Sequence, residues 1–481
     1  MTPAALPSSF RDPSGFLFEA EGHLYRQVNP RFREEYEALI ESGLYEELVS
    51  EGLLIPHEEL PDASLSPGAW KLLRPERVAF VSYPYEWCFG ELKAAALATL
   101  EIQRRALRRG MILRDASAYN IQFRRGKPVL IDTLSFRRHR PGEPWEAYRQ
   151  FCQHFLAPLA VASRTDFRLG QWFRIDIDGM PLDLASALLP GRSWLSLPLL
   201  LHVHLHARSQ RRYAAAGAER PRARSGMGRY GLEGLLGNLE AAVRSLEWKD
   251  SSSAWSGYYE STNYAAAGLE RKKEAVREFV ERIRPALLWD LGANVGVFSG
   301  IAAESAGEVV AFDSDPVSVE RHYGEVVARG DGNVLPLVLD LTNPSGGIGW
   351  ANRERLSLEE RGPADLALAL ALVHHLAIGN NVPLESVARF FASLCRNLVV
   401  EFVPKEDSQV RRMLASREDV FDGYSREGFE AAFASRFETL DRIAVPESER
   451  TLYRMRRRDS AGSGAWLSSG AGPPASPGPS A

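Results

Sequence analysis

Two aspartates flank a glycine turn in the second half of this sequence, and together they could bind a small ligand. Asp290 ends a short apolar run and is followed by Gly292 and Gly296, and Asp313 ends a second apolar run. Strand, glycine turn, helix and strand form a βαβ unit, and open α/β sheets bind ligands at the carboxyl ends of their strands. Because glycine lets a ligand approach the backbone closely, the pattern predicts a binding site at this turn.

The order of these residues distinguishes the turn from a dinucleotide site. A dinucleotide fingerprint reads G-x-G-x-x-G, whereas here an acid precedes the first glycine in D-x-G-x-x-x-G. A carboxylate at Asp290 would repel a pyrophosphate but suits an ammonium group, and Asp313 can accept hydrogen bonds from ribose hydroxyls. A ligand that carries both groups is S-adenosylmethionine. A plain nucleotide-binding unit, or no ligand at all, is the alternative.

These residues resemble the class I S-adenosylmethionine-dependent methyltransferases. The resemblance implies a methyltransferase with S-adenosylmethionine as cofactor, built on a Rossmann-like α/β domain over residues 251–457 with a seven-stranded, mostly parallel sheet. It implies that the glycine turn holds the methionine part, Asp313 the ribose, and Asp340 the adenine. The residues expected at the cofactor are Asp290, Gly292, Asn294, Gly296, Phe298, Asp313, Asp340, Leu341 and Val373.

Two histidines, His374 and His375, follow the apolar run Ala364–Val373 and are candidate catalytic residues. The run has the continuous apolar character of a strand covered on both faces. By the same resemblance its end lies nearest the transferable methyl group. A neutral imidazole can accept a proton near pH 7, so either histidine could be a general base, and Glu401 is a further candidate. Alternatively, one histidine packs in the core and the other binds the substrate.

Another set of polar residues lies in the first half of the chain. Asp115 and Asn120 are five residues apart, and Asp132 follows an apolar strand after a turn. This layout resembles the catalytic and metal loops of the protein kinase and aminoglycoside phosphotransferase fold. The resemblance implies an α+β kinase-like domain over residues 1–213, in which Asp115 is the base and Asn120 and Asp132 hold Mg²⁺.

The first half also departs from the kinase pattern. Leu113 and Leu134 stand where the kinase histidine and the metal-loop glycine would be, and no glycine-rich phosphate loop precedes them. Arg26 or Lys71 would have to replace the kinase lysine. We therefore expect a kinase-like fold that does not transfer phosphate. An active kinase and a chance agreement of spacing are the alternatives.

About residues 10–455 are similar to a family of two-domain bacterial proteins described as class I methyltransferases, some of them nodulation-related. The stretch SYPYEWCFGELKAAALATLEIQRRAL carries part of this similarity. It supports methyl transfer, with a small-molecule or metabolite acceptor expected and the N-terminal domain aiding substrate recognition. The alternatives are a bifunctional kinase–methyltransferase and a non-catalytic binding protein whose nucleotide folds are relics.

Periodicity predicts the elements that position these residues. In the first half we expect a hairpin over Phe16–Val28, helices over Phe32–Glu51 and Glu91–Arg109, and a strand over Val78–Ser82. In the second half we expect strands Asn333–Asp340, Ala364–Val373 and Leu398–Val403, helices Val382–Arg396 and Ser425–Ala434, and a hairpin of Phe437–Val445 with Leu452–Arg456.

The segments between and beyond the two domains have their own composition. Residues 214–250 are expected to form a linker and a helix, and residues 458–481, rich in Ser, Gly and Pro, a disordered tail. Trp255, Tyr258, Tyr259 and Tyr264 could form a lid over the cofactor or pack between the domains. His202, His204 and His206 alternate and could ligate a metal from a strand. No nearby acid or cysteine completes that set, so we expect a structural row and no metal.

Composition limits the partners and the compartment. The 481 residues have a net charge of −4, which gives no basic field for nucleic acid. Cys88, Cys152 and Cys395 show neither metal nor disulfide spacing, which fits a reducing cytoplasm. No signal segment and no run long enough to span a bilayer is present, so we expect a cytoplasmic enzyme without a membrane partner. The oligomeric state does not follow from the sequence.

Overall fold

The computed structural model describes residues 4–61, 65–209, 226–248, 266–415 and 417–458. Three predictions fall outside the described residues: the tail after residue 458, the linker part over 214–225, and the lid residues Trp255, Tyr258, Tyr259 and Tyr264. No helix in the described ranges is long and apolar enough to cross a membrane.

The strands are β1 Gly15–Ala20, β2 His23–Val28, β3 His57–Leu60, β4 Lys71–Pro75, β5 Met111–Leu113, β6 Ile121–Arg124, β7 Lys127–Leu130, β8 Phe136–Arg138, β9 Leu287–Leu291, β10 Glu308–Asp313, β11 Val334–Val338, β12 Ala364–Ala369, β13 Cys395–Phe402, β14 Phe437–Ala444 and β15 Thr451–Arg457. The α-helices are α1 Arg33–Glu41, α2 Leu44–Ser50, α3 Phe89–Arg108, α4 Tyr148–Phe151, α5 Ala157–Arg164, α6 Leu182–Leu188, α7 Leu197–Leu199, α8 Arg229–Ser245, α9 Ala266–Ile283, α10 Val297–Ala303, α11 Pro316–Arg329, α12 Leu384–Leu394, α13 Ser408–Leu414 and α14 Arg426–Ala434. Segments of π-helix occupy Cys152–Leu156, Leu200–Leu205 and His375–Gly379.

Seven strands of the second half form one sheet in the order β11-β10-β9-β12-β13-β15-β14. Strands β9 to β13 are parallel, and β15 pairs antiparallel with both β13 and β14. The predicted mostly parallel sheet and its closing hairpin are therefore confirmed. The inner strands are apolar throughout because both faces are covered: Phe279 of α9 belongs to the core on one face with Leu288, and Phe391 of α12 to the core on the other face with Trp289.

The first half contains a separate antiparallel sheet of four strands in the order β1-β2-β4-β3. The predicted hairpin over Phe16–Val28 is confirmed as β1 and β2, joined by Glu21 and Gly22 at positive φ. Helix α3 buries the alanine and leucine face that its periodicity predicts. The turn between β6 and β7 is also found, and it carries Asp132 to the end of β7.

The two halves share one continuous core. Phe80 of the first half packs edge-on against Trp289 and Phe312 of the large sheet, with ring centroids 5.6 and 5.7 Å apart. Arg361 reaches back from the second half and donates hydrogen bonds to both oxygens of Glu86, at 2.6 and 2.8 Å, with both side chains buried. The first half therefore covers part of a sheet face that would otherwise expose large aromatic rings.

Two predicted elements of the first half are wrong. Val78–Ser82 is not a strand, since Phe80 points into the other half and the segment does not pair with any described strand. The helix expected over Phe32–Glu51 is two helices, α1 and α2, because Gly43 between them adopts φ 71°. The predicted elements of the second half are found, with their ends shifted by a few residues.

Candidate functional site

A cavity of about 360 Å³ opens at the carboxyl ends of β9, β10 and β12, at the edge where the sequence predicts a ligand. Among the residues expected at the cofactor, those that line it are Asp290, Gly292, Asn294, Phe298, Asp313, Asp340 and Leu341. Gly296 and Val373 do not line it. Of the catalytic candidates, His375 lines the cavity, whereas His374 and Glu401 lie behind its wall.

The glycine turn adopts a left-handed backbone at three positions. Gly292, Asn294 and Gly296 have φ values of 79°, 52° and 82°. The backbone N–H of Asn294 donates to Asp313 at 2.8 Å, which joins the turn to the end of β10. A β-carbon on Gly296 would overlap the ring of His322 on α11. Glycine is therefore required at position 296 by helix packing and not by contact with a ligand.

The two aspartates at the cavity are held by hydrogen bonds, and Asp290 is buried while Asp313 is half-buried. Asp290 accepts a hydrogen bond from Ser299 Oγ at 2.6 Å, and Asp313 accepts from the backbone of Asn294 and of Asp315, each at 2.8 Å. Burial raises the pKa of Asp290 to about 6 and that of Asp313 to about 6. Both carboxyl groups are mostly ionised at neutral pH. Burial removes water from these charges, and a cationic or hydroxyl-bearing ligand would compensate for part of the lost hydration.

Lys272 is a buried cation at the cavity that sequence reasoning missed. It comes from α9, lines the cavity, and lies with Nζ 4.8 Å from the centre of the Phe298 ring. Nζ donates to Glu401 at 2.7 Å. A signal was available, since Lys272 occupies the apolar face of α9 that also carries Val276 and Phe279. A lysine at such a position requires a buried partner.

Glu401 holds Lys272 from behind the cavity wall. One of its oxygens accepts from Lys272, and the other lies 4.0 Å from Arg450, which also pairs with Asp407 at 2.7 Å. Lys272, Glu401 and Arg450 are all buried. Glu401 thus lies between two cations, and the structure does not bring its carboxylate to the cavity where a general base would act.

The two candidate histidines differ in position. His375 is half-buried and faces the cavity, while His374 is buried with its ring 4.2 Å from that of His375. Burial lowers the pKa of His375, and it lowers the pKa of His374 well below the usual value, with a further lowering from the neighbouring His375. Both rings are therefore neutral near pH 7, and His375 is the one that a substrate can reach.

A larger cleft, of about 850 Å³, lies between the antiparallel sheet of the first half and the turn that carries Asp132, and residues 353–356 of the second half line part of it. Asp115, Asn120 and Asp132 all line this cleft, so the structure brings the three kinase-like residues together. Asp132 forms an ion pair with Arg26 and accepts a hydrogen bond from Ser135.

Asp115 in this cleft is held by neutral donors. It accepts hydrogen bonds from the backbone of Ser117 at 2.9 Å and from Gln150 at 2.8 Å. Burial raises the pKa of Asp115, and the nearby Asp132 raises it further. In the described part of the chain, no group of three or more His, Cys, Asp and Glu residues is arranged to hold a metal ion.

A smaller cavity, of about 240 Å³, joins the two halves next to the first one. It shares Ser314, Leu339 and Asp340 with the cavity at the glycine turn. Its other wall comes from the first half and includes Gln171 and Arg174. The first half therefore reaches the side of the site where Asp340 lies.

The alternating histidines have structural partners. They lie in and just after the π-helical segment Leu200–Leu205 and not in a strand. His202 contacts Tyr148 and Asn238, each at 2.7 Å, and His204 lies between Ser186 and Ser193 at 2.7 and 2.8 Å. His202 and His204 thus form hydrogen bonds within the core, and the ring of His206 stacks on that of Tyr148.

Comparison with known proteins finds a relative over almost the whole chain. The nodulation protein NoeA of Rhizobium meliloti (strain 1021) is 36% identical over 467 residues, which cover 95% of this chain and 97% of the relative. No family model matches the sequence.

Solved structures align with part of the chain at low identity. The N-methyltransferase NodS from Bradyrhizobium japonicum WM9, in complex with S-adenosyl-L-homocysteine, is 11% identical with a TM-score of 0.30, and covers 40% of this chain and 88% of that chain. The magnesium protoporphyrin IX methyltransferase ChlM from Synechocystis PCC 6803, with bound S-adenosylhomocysteine, is 17% identical with a TM-score of 0.29, and covers 40% of this chain and 84% of that chain.

Proposed function

The chain belongs to the family of the nodulation protein NoeA, and we propose that it transfers a methyl group from S-adenosylmethionine to a small-molecule acceptor. The proposal rests on one observation: the cavity at the glycine turn presents the buried cation of Lys272 beside two carboxylates, the buried Asp290 and the half-buried Asp313. A ligand that complements this set carries an ammonium, a carboxylate and a diol.

S-adenosylmethionine fits these groups one by one. Its amino-acid end is a zwitterion, for which Asp290 supplies the anion and Lys272 the cation. Its ribose hydroxyls can donate to Asp313, and Leu341 offers an apolar contact for the adenine. Gly292 and Asn294 line the cavity, and the ligand can approach the backbone at Gly292 without meeting a side chain.

His375 is the residue that we assign to proton removal. Bound at this site, S-adenosylmethionine supplies an electrophilic methyl group on a sulfonium, which is a good leaving group. The residues of the chain have mainly to position the reactants and to accept a proton. His375 lines the cavity, and burial keeps its pKa low, so its neutral ring can accept a proton from the acceptor. Glu401 acts through Lys272, which it positions.

We propose that the first half is a kinase-like fold that aids substrate recognition without transferring phosphate. The supporting observation is the ion pair between Arg26 and Asp132, because the guanidinium occupies the carboxylate that would otherwise hold Mg²⁺. Titration with ATP and Mg²⁺ should then give no saturable rise in melting temperature. Saturable stabilisation that is lost in Asp132→Asn, or phosphate release, would favour the bifunctional alternative.

Label transfer tests the proposed methyl transfer. The protein is incubated with S-adenosylmethionine tritiated in its methyl group and with a low-molecular-mass bacterial extract. We expect tritium to appear in a non-protein, small-molecule fraction, and Asp290→Asn to abolish this because the ammonium loses its anion. Asp422→Asn, an exposed aspartate far along the chain from the cavity residues, is the matched control. Absence of label, or equal label with Asp290→Asn, would contradict the proposal.

A further inference from the structure

The loop that follows β11 begins at the cofactor cavity and then runs along the first half of the chain. Residues 339–342 line the cavity at the glycine turn, and Asn343 and Ser345 line the smaller cavity between the halves. We call residues 339–345 the β11 loop. It contains no helix or strand, and a loop of this kind is mobile unless other contacts hold it. The contacts that hold the β11 loop therefore determine the shape of this end of the cavity.

Asp340 is the residue of the β11 loop that could read a base. Thr342 donates to Asp340 Oδ1 from its backbone N–H at 2.8 Å and from its hydroxyl at 2.7 Å. Among the described residues no hydrogen bond is made to Oδ2, and Asp340 is exposed where it lines the cavity. A carboxylate oxygen can accept a hydrogen bond from the exocyclic amino group of adenine. Such a contact requires that the loop hold Asp340 in place.

Tyr85 of the first half holds the far end of the β11 loop. The hydroxyl groups of Tyr85 and Ser345 are hydrogen-bonded at 3.0 Å, and both residues are buried. Ser345 Oγ also donates to the carbonyl of Gly346 at 2.9 Å, and Gln171 donates to the carbonyl of Tyr85 at 2.7 Å. Burial raises the pKa of Tyr85, so its hydroxyl stays protonated and keeps this bond at any pH near neutrality.

Arg174 of the first half makes a second, weaker contact with the same loop. Its guanidinium donates to the backbone carbonyls of Asn343 and Pro344, each at 3.5 Å. Hydrogen bonds of this length are weak, so the shorter, buried bond of Tyr85 is the main anchor. Together the two residues restrain three consecutive positions of the β11 loop, 343 to 345, directly after the part that lines the cofactor cavity.

We propose that Tyr85 and Arg174 position the β11 loop so that Asp340 accepts a hydrogen bond from the exocyclic amino group of the adenine. They are positioning residues, because neither lines the cavity at the glycine turn. A loop that is already held in its binding conformation loses less entropy when the ligand binds. This inference rests on the proposed function, since the adenine belongs to the cofactor proposed above, and it gives the first half a part in selecting that cofactor.

Calorimetry of the full chain with two cofactor products tests the proposal. S-adenosylhomocysteine carries the amino group, whereas S-inosylhomocysteine carries a carbonyl oxygen there, which a carboxylate repels. We expect the wild type to bind the adenosyl compound about tenfold more tightly or better. The double variant Tyr85→Phe with Arg174→Gln should bind the adenosyl compound about tenfold more weakly and the inosyl compound almost unchanged, because only the first uses the positioned carboxylate.

A control variant separates positioning from general damage to the fold. Tyr36→Phe with Arg74→Gln also removes a buried hydroxyl and a guanidinium from the first half, but neither residue lines either cavity, so both affinities should match the wild type. If the double variant does not fold, Tyr85→Phe alone should show the same change at smaller size.

The outcomes distinguish this inference from the proposed function. The inference is overturned if the wild type binds both compounds equally, if the Tyr85 variants keep the wild-type preference, or if they weaken both compounds by the same factor, as a purely structural role would. Failure of the wild type to bind either compound would overturn the proposed function, and this inference with it.

Discussion

Asp290 and Asp313 are the residues at which burial most clearly opposes ionisation of the side chain. Each lies in the cavity wall, each is raised to a pKa of about 6 by burial, and each lacks a cation bonded to it in the described structure. Residues that are costly to bury are retained where they bind a ligand or catalyse a reaction. Their burial is therefore what we expect of carboxylates that meet an ammonium and a ribose.

Cofactor affinity should depend on pH through these two residues. The ionised forms are needed for binding, so we expect the affinity for S-adenosylmethionine to fall as the pH drops through about 6, by roughly tenfold per pH unit for each carboxylate. Calorimetric titrations above and below pH 6 measure this. An affinity that is constant across this range would contradict the assignment of both aspartates.

The ligand-free protein should show the opposite trend. Both folded-state pKa values lie above the ordinary 3.8, so ionisation destabilises the fold. The free energy of unfolding should therefore rise as the pH falls from above 6 towards 4, by up to about 3 kcal/mol per group. Denaturant unfolding at the same pH values provides the comparison.

At the residue scale, the sequence predicts the site residues whose positions are set by their neighbours in the chain. Asp290 and Asp313 follow apolar runs, and a carboxylate at a strand end is readable from the chain alone. The burial of Lys272 could be inferred from the apolar face of α9, but its position at the cavity could not, because it depends on Glu401, 129 residues away. The choice between His374 and His375 likewise depended on which ring faces the cavity, and periodicity at a strand end does not decide this.

At the scale of elements, the glycine turn is shaped by the helix beside it. Gly296→Ala should lower the free energy of unfolding by about 2–4 kcal/mol, because alanine is strained at φ 82° and its β-carbon overlaps the His322 ring. Gly237→Ala is the matched control, in the interior of α8 with open space around it, and should raise stability by up to about 1 kcal/mol. Chemical denaturation measures both, and equal effects would contradict this reading.

Elements with a regular apolar period could be predicted from the sequence. Segments whose conformation depends on packing against the other half of the chain could not. Strands β9, β10 and β12 are apolar throughout, and α3 has a clear apolar face, so their existence followed from pattern. Val78–Ser82 is equally apolar, yet Phe80 serves to cover Trp289. Apolar character shows that a segment is buried but does not show whether it pairs in a sheet or packs against a distant surface.

At the scale of the molecule, the two halves should unfold together. Arg361→Gln leaves the Glu86 carboxylate buried without its cation and should cost about 3–5 kcal/mol. Arg396→Gln removes an exposed pair with Asp365 and should cost no more than about 1 kcal/mol. We expect a single unfolding transition for both variants. Two separate transitions in the wild type would contradict the shared core.

The joining of the halves could not be predicted from the sequence. Residues 1–213 and 251–457 were separated by composition and by motif, and each motif was placed within its own half. The contacts that unite them, such as Phe80 on Phe312 and Arg361 on Glu86, join residues more than 200 positions apart. Local pattern contains no information at that distance.

The most direct test of the central claim is a calorimetric titration of S-adenosylmethionine into wild type and into the double variant Lys272→Met with Glu401→Gln. The double variant removes both charges together, and Arg450 keeps Asp407 as a partner, so the fold should survive. We predict saturable binding by the wild type and by Asp422→Asn, and an affinity about 10–100-fold lower in the double variant, because the carboxylate of the ligand loses its cation. No binding by the wild type, or equal affinity in a folded double variant, would contradict the account.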